Sequence, residues 1–254
     1  MASSPGRVVL TGVVCAVGVA ILCGLGTWQM KRLAWKEGLI AMVGARIEEP
    51  AEPLPPEADW PSLTYANDEY RKVVLTGRFD HAHEVSVFTS LEDDRFPVRG
   101  PGYWILTPLS LADGSTVIVN RGFVPDERRD PKTRPEGQVG GEVTVTGLIR
   151  MSEPGNLFTP EPDPDRGDWY VRDPAAIAAA FGLGRVAPFF VDADAAPNPG
   201  GLPLGGTTRI RFRNDHLGYA ITWYGLAAAL AGVYAVWAYG QLRRRTLAEK
   251  PPRQ

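Results

Sequence analysis

Asn214-Asp215-His216-Leu217-Gly218-Tyr219-Ala220-Ile221-Thr222-Trp223-Tyr224-Gly225-Leu226 is where a charged segment gives way to an apolar run that continues to about Gly240. From Leu217 to Tyr239 there is no charged residue, a stretch of about 23 residues that crosses a bilayer core as a helix. His216, one of three histidines in the chain, stands at the mouth of that run. An imidazole at that depth can stay neutral and offer a nitrogen lone pair to a metal centre. The other reading is a polar interfacial residue that ends the span.

A second uncharged run lies near the other end of the sequence, from Val8 to about Trp28, behind Arg7. It exceeds the apolar core of a signal peptide, and Trp28-Gln29 is no small-x-small cleavage site, so it reads as a retained span. Bulky Leu22 argues against a lipoprotein site at Cys23. Ala16, Ala20 and Gly24 recur every four residues, as do Gly225 and Ala229, and Ala228 and Gly232, a device that lets two membrane helices approach closely. Two spans place both termini on one side and the middle of the chain on the other. Which side stays open on charge alone: Arg243-Arg244-Arg245, Lys250 and Arg253 follow the second span, but Lys31, Arg32 and Lys36 follow the first, and Arg209, Arg211 and Arg213 precede the second.

The chain has 254 residues and a net charge of −2, a balance that gives no case for a nucleic-acid partner. Its mean hydropathy of −0.13 averages two apolar ends and a polar middle. Cys15 and Cys23 both fall in the first apolar run, so the middle has no disulfide framework.

The boundaries read as residues 1–7 before the first span, 8–28 as transmembrane helix 1, and 29–46 as a juxtamembrane amphipathic helix. Residues 47–69 read as an extended Pro-rich linker, 70–213 as a β-rich domain, 214–240 as transmembrane helix 2 and 241–254 as a basic tail. The strand candidates are Tyr70 to Phe79, Val85 to Thr89, Tyr103 to Leu111, Thr116 to Asn120, Glu142 to Arg150, Trp169 to Arg172, Phe189 to Asp192 and Thr207 to Phe212. Ala112-Asp113-Gly114-Ser115 predicts a hairpin turn, and Asp173-Pro174 followed by Ala175 to Phe181 and Gly182 predicts one capped short helix. Long Pro- and Gly-rich loops at Asp126 to Gly140, Pro154 to Gly167 and Ala195 to Gly206 are places for partner docking. The fold class is therefore an α+β membrane protein: two antiparallel transmembrane helices flanking one barrel- or sandwich-like β-rich domain with a short helix.

No nucleophile with its base, phosphate-cradling glycine loop or zinc-protease helix is present, so an enzyme is not expected. His81-Ala82-His83-Glu84 would put two imidazoles on one face of a strand, but spacing supplies no third ligand. In Asn120-Arg121-Gly122-Phe123-Val124-Pro125 a cation stands beside a turn that can come close to a partner, making Arg121 and Phe123 candidate partner-binding residues. The other reading there is a structural turn with an internally paired arginine. On a helix, His216, Tyr219 and Trp223 lie within roughly 60° of one another, a ligand above two aromatic plates that could receive a flat apolar macrocycle. An interfacial aromatic belt accounts for Tyr219 but less well for Trp223, which lies two turns into the span.

Four groups of residues, in this order and between two spans, resemble the Surfeit locus protein 1 family. They are Gly26-Thr27-Trp28-Gln29 with Arg32 and Trp35-Lys36; Asn120 through Pro125; Phe158-Thr159-Pro160 leading to Trp169-Tyr170-Val171-Arg172-Asp173; and Asn214 through Leu226. Phe123 stands where the family more often has Trp, and Pro162 interrupts a loop that usually carries Asn before Asp-Pro. The resemblance implies an assembly factor for haem-copper cytochrome c oxidase, a two-pass inner-membrane protein whose middle domain faces the periplasm and whose termini are cytoplasmic. For bacterial members it implies binding of haem a as a transient cargo, delivered to the catalytic subunit of the oxidase, with haem a synthase as a further possible partner. His216 matches the position of the haem-iron ligand. Tyr219 and Trp223 would flank the ring, Trp28 and Gln29 would come level with His216 by antiparallel pairing, and Arg209, Arg211 or Arg213 would meet the propionates. The alternative is a haem-free membrane scaffold that stabilises an oxidase subunit during assembly.

Overall fold

A computed structural model describes residues 5–153, 155, 159–163, 167–208 and 214–248. The chain divides into two units: residues 1–42 with 211–254, and residues 43–210.

The first unit holds most of α1 (Pro5–Glu48) and all of α4 (His216–Ala248), each long and apolar enough to cross a membrane. The span expected at 8–28 and the amphipathic helix expected at 29–46 form one continuous helix. No proline or breaker run interrupts residues 29–48, and the helix stops where Pro50 disfavours the helical conformation at Glu49. Within this unit the two helices run antiparallel, with Gly12 against the Tyr234 ring, Gly18 against Leu230 and Gly26 against Tyr224. The side chains of α4 that turn inward are His216, Ala220, Trp223, Ala227, Leu230 and Tyr234, spaced by alternating fours and threes as in a left-handed helix pair. Gly24, Gly225 and Gly232, part of the expected small-residue faces, meet nothing within 4 Å. The helices therefore pack on a different stripe, and Gly12, Gly18 and Gly26 are the points of close approach.

The second unit begins with the end of α1 and a segment read from its prolines as an extended linker. That segment is ordered: β1 (Glu52–Pro53), a 3₁₀ turn (Glu57–Ser62) and α2 (Tyr65–Asp68) follow one another. Arg46 in the last turn of α1 donates to the carbonyls of Glu69 (3.0 Å) and Ala66 (2.7 Å), tying the segment back. Then come β2 (Lys72–Phe79), β3 (Val85–Leu91), β4 (Gly100–Leu111), β5 (Thr116–Pro125), β6 (Val143–Met151), β7 (Asp168–Trp169), α3 (Pro174–Phe181) and β8 (Val186–Ala193).

The strands form a ring in the order β2-β6-β8-β5-β4, and it closes because Gly77–Phe79 pair with Leu109–Leu111. The β-rich domain is thus a barrel. Only β5 and β8 run parallel within the ring; β3 extends from the first half of β4, β7 lies parallel to β3, and β1 lies parallel to β2. Alternation sends Val73, Leu75, Leu109, Val117, Val119, Ile149, Phe189 and Val191 into one core. Trp60 from the supposed linker joins them, edge-on to Phe189 at 5.6 Å, with its indole N–H donating to the Pro55 carbonyl at 2.9 Å. The opposite face of β5 and β8 carries Ile118 and Phe190, packed with Val85, Val87, Leu106 and Trp169 under Ile177 of α3. The Asp173 carboxylate caps α3 and Gly182 ends it at φ +64°, as the sequence predicts.

Candidate functional site

At the start of α4, His216 and Gln29 meet. The imidazole Nδ1 lies 2.7 Å from Oε1 of Gln29. An amide oxygen can only accept, so Nδ1 carries the proton, and the lone pair of the neutral ring is on Nε2. Gln29 is itself buried, and His216 is half-buried. This is the arrangement that aims an imidazole at an external metal: the second nitrogen held, the first open. Two positions earlier, Oδ1 of Asn214 is buried with no hydrogen-bond partner, an acceptor left over at the same helix end.

The other residues expected here divide. Trp223, half-buried, lies on the same inward stripe as His216 and Ala220. Trp28 and Tyr219 are both 56% exposed and present their rings outward. Below this level the sequence reading missed a contact: Thr27 Oγ1 lies 3.1 Å from Tyr224 Oη, over the close approach of Gly26 to the Tyr224 ring. A hydroxyl pair inside an apolar span was the available signal. Arg209, Arg211 and Arg213 lie outside the described residues, as does Phe158.

In the β-rich domain, the motif residues are buried. Asn120 donates to Asp192 Oδ1 at 2.7 Å and accepts from the Gly122 N–H at 3.1 Å. Gly122 has φ +122°, and its backbone lies against Leu204 so closely that a Cβ has no room. Arg172 reaches the same Asp192 oxygen at 3.1 Å, and Arg150 reaches Oδ2 at 2.7 Å, where Thr208 also donates at 2.9 Å. Glu69 and Glu153 complete the cluster on Arg150 and Arg172. Although burial opposes its charge, Asp192, Tyr70 and Glu69 hold the Arg150 guanidinium above its ordinary value. The two motifs thus converge on one buried carboxylate, which ties β5, β6, β8 and the segment before α3 together.

Arg121 and Phe123 are buried, Phe123 completely, so neither side chain offers exposed surface for a partner. Arg121 donates to the Gly137 carbonyl and lies with Nη1 3.6 Å from Glu84, whose carboxylate is held by Arg134. Burial, with Arg134 adding and Glu84 opposing, pulls Arg121 down to about 10. His81 and His83 stand on a 3₁₀ turn, not a strand; His81 Nε2 is bound to the Val139 carbonyl at 2.9 Å and His83 Nδ1 to Asp80 at 2.6 Å. One ring nitrogen of each is engaged, by a different partner, and the described residues contain no cluster of three metal-ligating side chains.

Comparison with known proteins identifies the family. The model of the SURF1 family matches residues 16–228. Surfeit locus protein 1 of Rattus norvegicus is 43% identical over 218 residues, covering 81% of this chain and 68% of that protein. The Homo sapiens protein is 41% identical over 219 residues, covering 81% and 70%. A SURF1-like protein of Monosiga brevicollis is 38% identical over 247 residues, covering 91% and 88%. The family match runs from within α1 through the barrel into the first part of α4, and the chain belongs to the SURF1 family.

Proposed function

We propose that the protein is an assembly factor for haem-copper cytochrome c oxidase that binds haem a at the end of the α1–α4 pair and passes it to the catalytic subunit. The observation that carries this reading is the His216–Gln29 hydrogen bond, which leaves Nε2 as the free lone pair. Haem a, as cargo, brings an iron that accepts an axial nitrogen and a long isoprenoid tail suited to lipid. His216 holds the iron through Nε2, Gln29 fixes the imidazole tautomer, and Trp223, Tyr219 and Trp28 supply aromatic surface at the same helix ends. A single axial bond from a half-buried histidine suits a carrier that must release what it binds.

The helices sit in the inner membrane, with the His216 end and the barrel on the periplasmic side and the Arg243-Arg244 end in the cytoplasm, the orientation that membership of the family implies and that charge alone leaves open. The oxidase catalytic subunit is the receiving partner, and haem a synthase is the source.

Purification from cells that make haem a tests the assignment. Wild type yields a pyridine haemochrome spectrum of haem a, and His216→Ala loses it while remaining membrane-inserted and folded. Full haem occupancy in His216→Ala sinks the ligand assignment. Absence of haem from the wild type, with oxidase subunits still co-purifying, would replace it by the haem-free scaffold.

A further inference from the structure

Four side chains of α1 stand together just past its apolar run. Trp28, Lys31, Arg32 and Trp35 follow one another at steps of three, one and three residues, so at about 100° per residue they share a face roughly 100° wide. All four are exposed, the indoles of Trp28 and Trp35 by 56% and 54%. The Arg32 guanidinium lies over the Trp35 ring, 4.1 Å from its centroid, a contact that limits the orientations of its planar fork.

No acidic group offsets these cations. Lys31 and Arg32 make no ion pair among the described residues, and α1 carries no carboxylate before Glu37, which lies about 120–140° round the helix from both. The opposite end of the helix pair carries cations too, Arg243 and Arg244. Whichever end is cytoplasmic, one set therefore stands where the positive-inside tendency disfavours it. Depth points the same way. The apolar run ends at about Trp28, and Lys31 and Arg32 follow three and four residues on, about 5–6 Å along the axis. The polar layer on each side of a bilayer core is roughly 5–8 Å deep, so both cations reach the level of the lipid phosphates.

We propose that this face binds the phosphate of one membrane phospholipid of net negative charge, with the Arg32 fork and the Lys31 ammonium on the phosphate oxygens and the Trp28 and Trp35 rings against the glycerol and upper acyl chains. A lipid is favoured over a soluble anion because exposed indoles flank the cations, and an indole suits a place that is apolar on one side and wet on the other. Net negative charge is favoured over a zwitterionic headgroup, which would bring its own cation to a face that already has two. The inference needs only that α1 spans the membrane, and it is independent of the haem reading.

Native mass spectrometry of the full chain, released from detergent micelles holding equimolar phosphatidylglycerol and phosphatidylcholine of the same acyl chains, reads the bound lipid. Wild type is expected to carry a phosphatidylglycerol adduct in clear preference to phosphatidylcholine. Lys31→Gln and Arg32→Gln should each lower that preference about fivefold, the usual effect of one basic residue at an anionic surface. Trp35→Leu keeps both charges but removes the ring under Arg32, and should lower it about two- to fivefold. Because these side chains are exposed, the variants keep the fold, and an unchanged helical circular dichroism signal confirms it. Equal adducts of the two lipids in wild type overturn the proposal. Loss of the preference in Arg243→Gln/Arg244→Gln but not in Lys31→Gln/Arg32→Gln overturns the location, and no effect of Trp35→Leu overturns a built site in favour of diffuse charge. Displacement of the lipid by excess inorganic phosphate at constant ionic strength overturns the choice of a lipid over a soluble anion.

Discussion

His216 and Gln29, 187 positions apart in the chain, share a hydrogen bond of 2.7 Å in which the ring donates and the amide oxygen accepts. Sequence reading brings the two residues to one level through antiparallel spans. The structure adds a division of labour between the two imidazole nitrogens.

On the proposed haem reading, removing the acceptor without touching the ligand should weaken binding. Gln29→Leu is expected to lower affinity by about 10- to 100-fold, the usual loss when the group orienting a metal-binding histidine is removed. Gln29→Glu keeps an acceptor and should retain most of the binding. Haem titration followed in the Soret region checks both, and the band position reports a change of axial ligation that a merely loosened helix would not produce.

Close approach at Gly26 sets the spacing of the pair. A Cβ built there lies 2.9 Å from the Tyr224 ring, so Gly26→Leu must push the helices apart or displace the ring. Haem occupancy of purified Gly26→Leu should fall although His216 and Gln29 are intact, and adding Tyr224→Ala should restore much of it.

Asp192 is the hub of the buried cluster. Asp192→Ala leaves Arg150 and Arg172 facing each other without their shared carboxylate, at a cost of about 3–5 kcal/mol. Glu57→Gln removes the charge opposite Arg185 at a largely exposed pair, and its cost should be small beside that of Asp192→Ala. Guanidinium unfolding of the two variants, followed by tryptophan fluorescence, separates these outcomes.

Burial raises the Tyr70 hydroxyl above its ordinary 10, outweighing the Arg150 guanidinium that lies 4.7 Å from its ring and lowers it. Between pH 10 and that raised value the unfolded chain loses this proton and the folded one keeps it. The stabilising contribution is thus complete below about pH 10 and is lost as pH rises through the folded value. Tyr70→Phe should flatten the fall of the denaturation midpoint above pH 10, measured as the difference from wild type.

Local patterns were legible where one element's own residues decide its form. β2, β3 and β6 follow their alternation, the Ala112-Asp113-Gly114-Ser115 turn closes with Gly114 at φ +82°, and α3 has the cap and stop its sequence announces. Four things were hidden because they depend on distant partners. Thr116 to Asn120 extends to Pro125 because Phe123, Val124 and Pro125 go on pairing with Trp104, Tyr103 and Gly102 of β4 past a bulge, a partner that the residues around Arg121 do not reveal. The prolines before Trp60 look like a linker until the indole finds the barrel interior. On α4 the packing stripe is invisible to hydropathy, because in an apolar span every face is apolar. Trp169 to Arg172 shrinks to a two-residue strand, since Arg172 turns in to Asp192, and Thr207 and Thr208 join no strand, the rest of that expected strand lying outside the described residues.

Ring closure also sets a timetable for synthesis. β2 pairs with β6 and β4, and the gap between β6 and β5 is filled by β8, which is the last strand of the ring to be made. Roughly 120 residues separate Val73 from Val191, so at 5–20 residues per second the nascent chain spends about 6–24 seconds with a half-built ring and open strand edges. During that interval Trp60 and the first strands have no finished core to enter, which makes the stretch from β2 to β8 the segment of this chain most dependent on protection as it emerges.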